Sequence, residues 1–171
     1  MSYECSGCGR VHGGLPRFFM RGVPETKEGR LIEAHYDHPS LCRSADHFYV
    51  RCRLVVRILG DAAAPLEFSC WCELDREDYE ALLASRDDET FGSFWMAGTL
   101  ANPVSGVPDS FGTPVMFEVL PGDPTPCVKW VAPDTELAFY WEEGVSLTFW
   151  HELASSVAAA GAVHESMRNA E

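Results

Sequence analysis

The chain has 171 residues, of which 46% are hydrophobic and 12% aromatic, and a formal net charge of −13. This composition fits one globular domain with a substantial core and excludes a disordered acidic tail, and the charge argues against general affinity for nucleic acid or anionic lipid, because both attract basic surfaces. We expect a cytoplasmic protein, since no apolar run is long enough for a membrane helix and the N-terminus lacks the apolar stretch of a signal peptide.

The charge is unevenly distributed along the chain. Residues 1–57 carry nine of the 13 basic side chains and six of the 26 acidic ones, so residues 58–171 carry only four basic side chains and 20 acidic ones. A strongly acidic body can serve solubility alone, or it can receive a basic protein partner. The sequence therefore suggests a basic partner without identifying one.

Residues 1–44 predict an irregular N-terminal lobe held together by a metal. Glycine and proline recur through this segment and its apolar residues are scattered, so it cannot easily bury enough apolar surface to fold alone. We expect an α+β body over residues 45–161 within the same compact domain, followed by a tail at residues 162–171.

A Cys-x-x-Cys motif lies within this lobe. Cys5 and Cys8 are followed by Gly9, the arrangement of a zinc knuckle, in which a tight turn places two thiolates side by side and glycine lets backbone amides point at the sulfurs. His12 is near enough in the sequence to be a third ligand. A thioredoxin-like redox pair and an unrelated pair of thiols are the alternatives, but a redox pair belongs at a strand-to-helix junction.

Tetrahedral zinc needs a fourth ligand, for which Cys42 is the first choice. His35 and His38 are its rivals, in the stretch that precedes it. We expect the zinc to be structural, because a catalytic zinc needs an open coordination position and a nearby general base.

The body opens with a predicted β-hairpin. Residues 47–58 alternate between apolar and polar or basic side chains, and residues 66–74 form the next strand after a turn that begins at Gly60. The polar face of the first strand carries three arginines: Arg51, Arg53 and Arg57. They could bind an anionic ligand, but we expect them to pair with neighbouring carboxylates such as Glu67 and Glu73.

Two helices are predicted in the body. Asp75 predicts the N-cap of a short amphipathic helix that ends near Ser85, and Ser146 or Thr148 is expected to cap a last helix. The pattern between the two helices predicts three strands and then a short extended segment: residues 91–100, 114–120, 127–132 and 137–141.

The remaining cysteines are expected to pack as small apolar side chains. Cys70 and Cys72 flank a tryptophan on the second strand of the hairpin, and residues two apart on a strand share a face. Cysteine is among the most buried residue types, so we expect core packing for this pair and for Cys52 and Cys127. A shared ligand for Cys70 and Cys72 is the alternative.

The order of these features resembles the DUF2199 family, a bacterial family of unknown function. The resemblance rests on the opening Cys-x-x-Cys-Gly-x-x-His motif followed by Gly14-Leu15-Pro16, on Cys42 ahead of the aromatic strand, and on the strand that carries Trp71. It extends over residues 4–158. The resemblance supports Cys42 as the fourth zinc ligand and implies no activity.

These features predict an α+β fold: a curved, mainly antiparallel sheet of about six strands with two helices and an N-terminal zinc-knuckle lobe. The sequence contains none of the nucleophile, phosphate-binding or metalloprotease motifs that would assign an enzyme. We favour a binding or interaction module with a structural zinc, held by Cys5, Cys8, His12 and Cys42. An immunity protein that neutralises a basic toxin through the acidic face, and a zinc- or thiol-dependent enzyme, are the alternatives.

Overall fold

The computed structural model describes residues 3–4, 11–12, 17–20, 23–26, 30, 32–86, 92–123 and 125–156, with the backbone alone at residues 3–4, 11–12 and 61–64. Within these residues the chain is α+β, as predicted. The strands are β1 (Tyr3–Glu4), β2 (Val11–His12), β3 (Phe18–Met20), β4 (His35–His38), β5 (Leu41–Ser44), β6 (His47–Ile58), β7 (Asp61–Leu74), β8 (Phe94–Leu100), β9 (Pro114–Val119) and β10 (Cys127–Val131). The helices are α1 (Arg76–Ser85), a 3-10 turn (Pro108–Ser110), α2 (Glu136–Glu143) and α3 (residues 147–156).

Five strands close into a barrel. β6 to β10 form an antiparallel meander in which each strand pairs with the next, and β10 then pairs with β6 through Cys127 and Arg53. In a meander of five strands the first and the last run in the same direction, so the closing pair has to be parallel, as observed. β5 and β4 extend the sheet beyond β6, and β3 lies parallel to β7.

The prediction of a simple curved sheet of about six strands was therefore wrong. The lengths of two strands explain the difference: β6 spans 12 residues and β7 spans 14. Each has separate stretches for several neighbours, so the sheet continues past the hairpin in both directions. Which strands pair over such distances depends on the path of the chain in space, and alternation of residues does not encode that path.

One face of the barrel strands forms the main core. Inward-facing side chains come from all five strands and are almost inaccessible to solvent. One residue from each strand illustrates this, with an exposed fraction of at most 4%: Leu54, Phe68, Met96, Phe117 and Val128.

Three of the four cysteines that were predicted to pack in this core do so. Cys52, Cys70 and Cys72 are fully buried, and Cys127 is only partly buried. Cys52 and Cys70 are cross-strand partners, and the Cys70 thiol donates to the Cys52 carbonyl over 3.7 Å. Burial raises the pKa of Cys52, and contacts among the thiols together with burial raise the pKa of Cys70 and Cys72. All three therefore remain protonated thiols.

The caps of two helices follow the prediction. The Asp75 carboxylate accepts the backbone N–H of Asp78 at 2.8 Å, and α1 ends at Ser85. The Ser146 hydroxyl accepts the backbone N–H of Phe149 at 3.0 Å, which identifies Ser146 as the cap of α3. No helix within the described residues is long and apolar enough to pass through a membrane.

The prediction that residues 137–141 are extended was wrong, and with it the count of two helices. These residues belong to α2, whose N-cap Thr135 accepts the backbone N–H of Ala138 at 3.0 Å. The run of aromatic residues favours a strand locally. The helix, however, buries Leu137 and Ala138 against the main core, and this packing outweighs local propensity.

The division into an N-terminal lobe, a body and a tail stays a prediction. Residues 35–44 hydrogen-bond into the sheet beside β6. Most of residues 1–31 and the whole of residues 162–171 lie outside the described residues.

Candidate functional site

The four predicted zinc ligands are unequally described. Cys5 and Cys8 lie outside the described residues, and His12 is described only by its backbone, which pairs with that of Tyr3. Cys42 is the one ligand whose side chain is described. Within the described residues no three His, Cys, Asp or Glu side chains come together in a way that could hold a metal. The described part of the chain therefore does not form a metal site by itself.

Cys42 lies on the face of the sheet that points away from the main core, and it is fully buried there. A second, smaller cluster surrounds it: Tyr49, Trp71 and Ala101, with Ile32 and Ala34 packed alongside. Ile32 and Ala34, which pack against this cluster, belong to the N-terminal segment that carries the Cys-x-x-Cys motif. This placement fits a ligand that is shared with that segment.

The chemistry of Cys42 also fits zinc. Burial raises the pKa of its thiol to about 12, and the guanidinium of Arg51 opposes this shift. At neutral pH the thiol therefore keeps its proton, and a zinc ion would have to displace that proton to bind the sulfur. Sulfur suits zinc and other soft or borderline metals, whereas calcium and magnesium prefer oxygen.

The register of β4 and β5 separates the rival histidines from Cys42. His35 pairs with Arg43, and His38 pairs with Leu41. Cross-strand partners share a face, and successive residues of a strand point to opposite faces. Both histidines therefore lie on the face opposite to Cys42, and the register favours neither as a ligand beside it.

Two arginines on the outer face of β6 make contacts that the sequence did not predict. Arg53 forms an ion pair with Asp123, with 2.6 Å between Nη2 and Oδ2. The guanidinium of Arg51 lies over the ring of Trp71, 4.7 Å from its centroid. Arg53 thus pairs with a carboxylate, as expected, but Glu67 and Glu73 were the wrong partners, because the register places Trp71 opposite Arg51 and Ser69 opposite Arg53.

A second candidate site is a groove between α2 and α3, with a volume of about 620 Å³. Its apolar lining includes Leu59 and Phe139, which are 49% and 59% exposed. Three exposed glutamates that form no ion pair within the described residues also line it: Glu142, Glu143 and Glu152. We call this feature the acidic groove.

Arg57 and Gly144 hold the acidic groove in place. Arg57 donates to the carbonyls of Glu142 and Glu143 at 2.7 and 3.0 Å, where the end of α2 leaves carbonyls that attract a cation. The expected partners of Arg57 on β7 were therefore wrong as well. Gly144 has a φ of +91°, and a Cβ there would lie 2.6 Å from Cγ of Arg57. Glycine is thus required where the chain turns from α2 into Val145.

Comparison with known proteins identifies a family. A model described as an uncharacterised protein conserved in bacteria, DUF2199, matches residues 4–145. The chain belongs to the DUF2199 family. No curated protein and no solved structure matches it. The family is uncharacterised, so a function for this DUF2199 protein has to be argued from its residues.

Proposed function

We propose that this DUF2199 protein is a cytoplasmic binding module whose N-terminal segment is held to the barrel by a structural zinc. Cys5, Cys8, His12 and Cys42 supply three sulfurs and one nitrogen, a common ligand set of structural zinc. The observation that carries this proposal is the position of Cys42. Cys42 is buried in a cluster against which Ile32 and Ala34 pack, and this cluster is separate from the main core that holds the other buried cysteines.

Zinc content measured on cysteine variants tests the metal site. Cys42→Ser and Cys52→Ser are a matched pair, because each removes one fully buried thiol from neighbouring strands. The native chain and Cys52→Ser should contain about one zinc per chain, and Cys42→Ser should lose it. A chelator should lower the Tm of the native chain and leave that of Cys42→Ser unchanged. Zinc that persists in Cys42→Ser, or a folded native chain without zinc, would refute the site.

The partner that fits the acidic groove is a basic amphipathic segment of another protein. Exposed apolar side chains at Leu59 and Phe139 would receive the apolar side of such a segment. The glutamates around them would attract its lysines and arginines. A toxin with a basic surface is one protein of this chemistry, so the groove favours an immunity protein as the biological form of the module.

Two charge-matched variants test the groove. The probe is a fluorescent helical peptide of lysine and leucine, with a glutamate and leucine peptide of the same pattern as its counterpart. Glu142→Lys and Glu77→Lys change the net charge equally, but Glu77 lies in the first turn of α1, outside the groove. The basic peptide should bind the native chain and Glu77→Lys, and bind Glu142→Lys about tenfold more weakly. Equal weakening by both variants would show attraction to the net charge alone and would refute the groove.

A further inference from the structure

A small cavity opens at one end of the barrel, away from both candidate sites described above. It has a volume of about 200 Å³ and lies where β8 begins at Phe94, where β9 ends at Val119, and where α1 has just ended. Arg86 and His38 contribute the basic groups of its lining. A cavity of this size suits a ligand smaller than the roughly 300–1,000 Å³ sites of drug-sized molecules.

The guanidinium of Arg86 lacks acceptors there. Its Nε and Nη2 atoms are buried and have no hydrogen-bond partner within the described residues. Burial also lowers the pKa of Arg86, in the direction expected when a cation is desolvated without a direct partner. Because an unpaired buried charge is costly, such a group calls for an acceptor, and the described residues do not supply one.

The one carboxylate among the described residues that line this cavity is already engaged. Asp123 lines the same cavity, but its Oδ2 accepts from Arg53 at 2.6 Å and its Oδ1 accepts the backbone N–H of Thr125 at 2.9 Å. The charge of Asp123 is therefore offset by Arg53. Asp123 attracts Arg86 electrostatically, but with both of its oxygens engaged it gives the buried Nε and Nη2 atoms of Arg86 no hydrogen bond.

His38 adds a second polar group to the cavity lining. Its Nδ1 accepts the backbone N–H of Ser40 at 3.2 Å, so the proton of the neutral ring is on Nε2. His38 and Arg86 thus line one small cavity, and Arg86 brings a planar fork of N–H groups to it. Arginine forks match the paired oxygens of carboxylates and phosphates.

We infer that this cavity binds a small oxyanion, a phosphate or a carboxylate, through the Nε and Nη2 groups of Arg86. The site does not depend on the zinc or on the acidic groove. It would give this acidic protein a ligand-dependent increase in stability, since a ligand that binds only the folded state stabilises it.

Thermal unfolding with added anions tests the inference. Inorganic phosphate and acetate are the two probes, and chloride at equal ionic strength is the reference, because salts also stabilise proteins without binding. The Tm of the native chain should rise to a plateau with phosphate or with acetate, and not with chloride. A plateau with only one of them identifies the ligand as a phosphate or a carboxylate.

A variant of Arg86, the residue that follows α1, and a variant of Arg76 within α1 provide the comparison. Arg86→Met removes the fork, and Arg76→Met removes an exposed arginine that pairs with Glu80. Arg76→Met should keep the anion-dependent rise, and Arg86→Met should bind at least about tenfold more weakly, the value of one charge-assisted hydrogen bond. If Arg86→Met does not fold, Arg86→Lys decides, because it keeps the charge without the fork. The inference fails if neither anion gives a plateau, or if the folded Arg86 variant keeps the full rise.

Discussion

The substitution Gly98→Ala tests the closed barrel. Gly98 lies in β8 beside β7, and a Cβ there would lie 2.7 Å from the backbone oxygen of Glu73 and 3.2 Å from Cδ2 of Leu74. Backbone cannot move aside as a flexible side chain can, so the added methyl group has to push the two strands apart. Overpacking of this kind costs about 1–3 kcal/mol. At about 2–4 °C per kcal/mol for a chain of this size, the Tm should fall by about 2–12 °C.

Gly92→Ala is the matched control for this prediction. A Cβ at Gly92 would meet no atom within 4 Å, and Gly92 does not have a positive φ. Its replacement should therefore be neutral or slightly stabilising. Urea unfolding followed by circular dichroism gives the free energy of unfolding for both variants. If the free energies of unfolding of Gly98→Ala and Gly92→Ala differ by less than about 0.5 kcal/mol, β7 and β8 do not approach each other as described.

Three further substitutions test other parts of the fold by urea unfolding. Trp71→Ala should lower the free energy of unfolding by about 3–5 kcal/mol, because its ring is fully buried. Trp95→Ala, the control at a ring that is 55% exposed, should lower it far less. Equal losses in the two variants would contradict the second cluster. Asp75→Ala should cost about 1 kcal/mol by removing the cap of α1, and no loss would contradict the cap. The hydroxyl of Tyr79 donates to Asp37 at 2.6 Å and is the main reason why the pKa of Asp37 lies below its ordinary value. This stabilisation is present above the unfolded-state pKa and is lost as the pH falls through the lower folded-state pKa. Tyr79→Phe should therefore cost about 1 kcal/mol at pH 7 and lose less stability in acid than the native chain; an unchanged acid dependence would contradict the contact.

Local signals in the sequence predicted local structure well. The alternation of residues 47–58 predicted β6 with the bounds that the structure has, and Asp75 predicted the start of α1. These features depend on neighbouring residues, whose spacing the sequence shows directly. The closure of the barrel does not depend on neighbouring residues, because it pairs Cys127 with Arg53, which are far apart in the chain.

The candidate sites also differ in whether they depend on a local sequence pattern or on contacts between distant residues. The Cys-x-x-Cys motif is a local pattern, so its spacing alone predicts a metal site, and that site stays a prediction. The acidic groove is built from α2, which local propensity assigned to an extended segment. The cavity at Arg86 depends on the pairing of Arg53 with Asp123, 70 residues apart. No short-range pattern marks such contacts, so they become visible only once the chain is folded.

X-ray absorption at the zinc edge tests the proposed metal site most directly. The purified native chain should contain about one zinc, bound by three sulfurs at about 2.3 Å and one nitrogen at about 2.0–2.1 Å. Those values correspond to Cys5, Cys8, Cys42 and His12. A folded chain without zinc, or zinc bound only by nitrogen and oxygen, would contradict the proposal that these residues hold the N-terminal segment to the barrel.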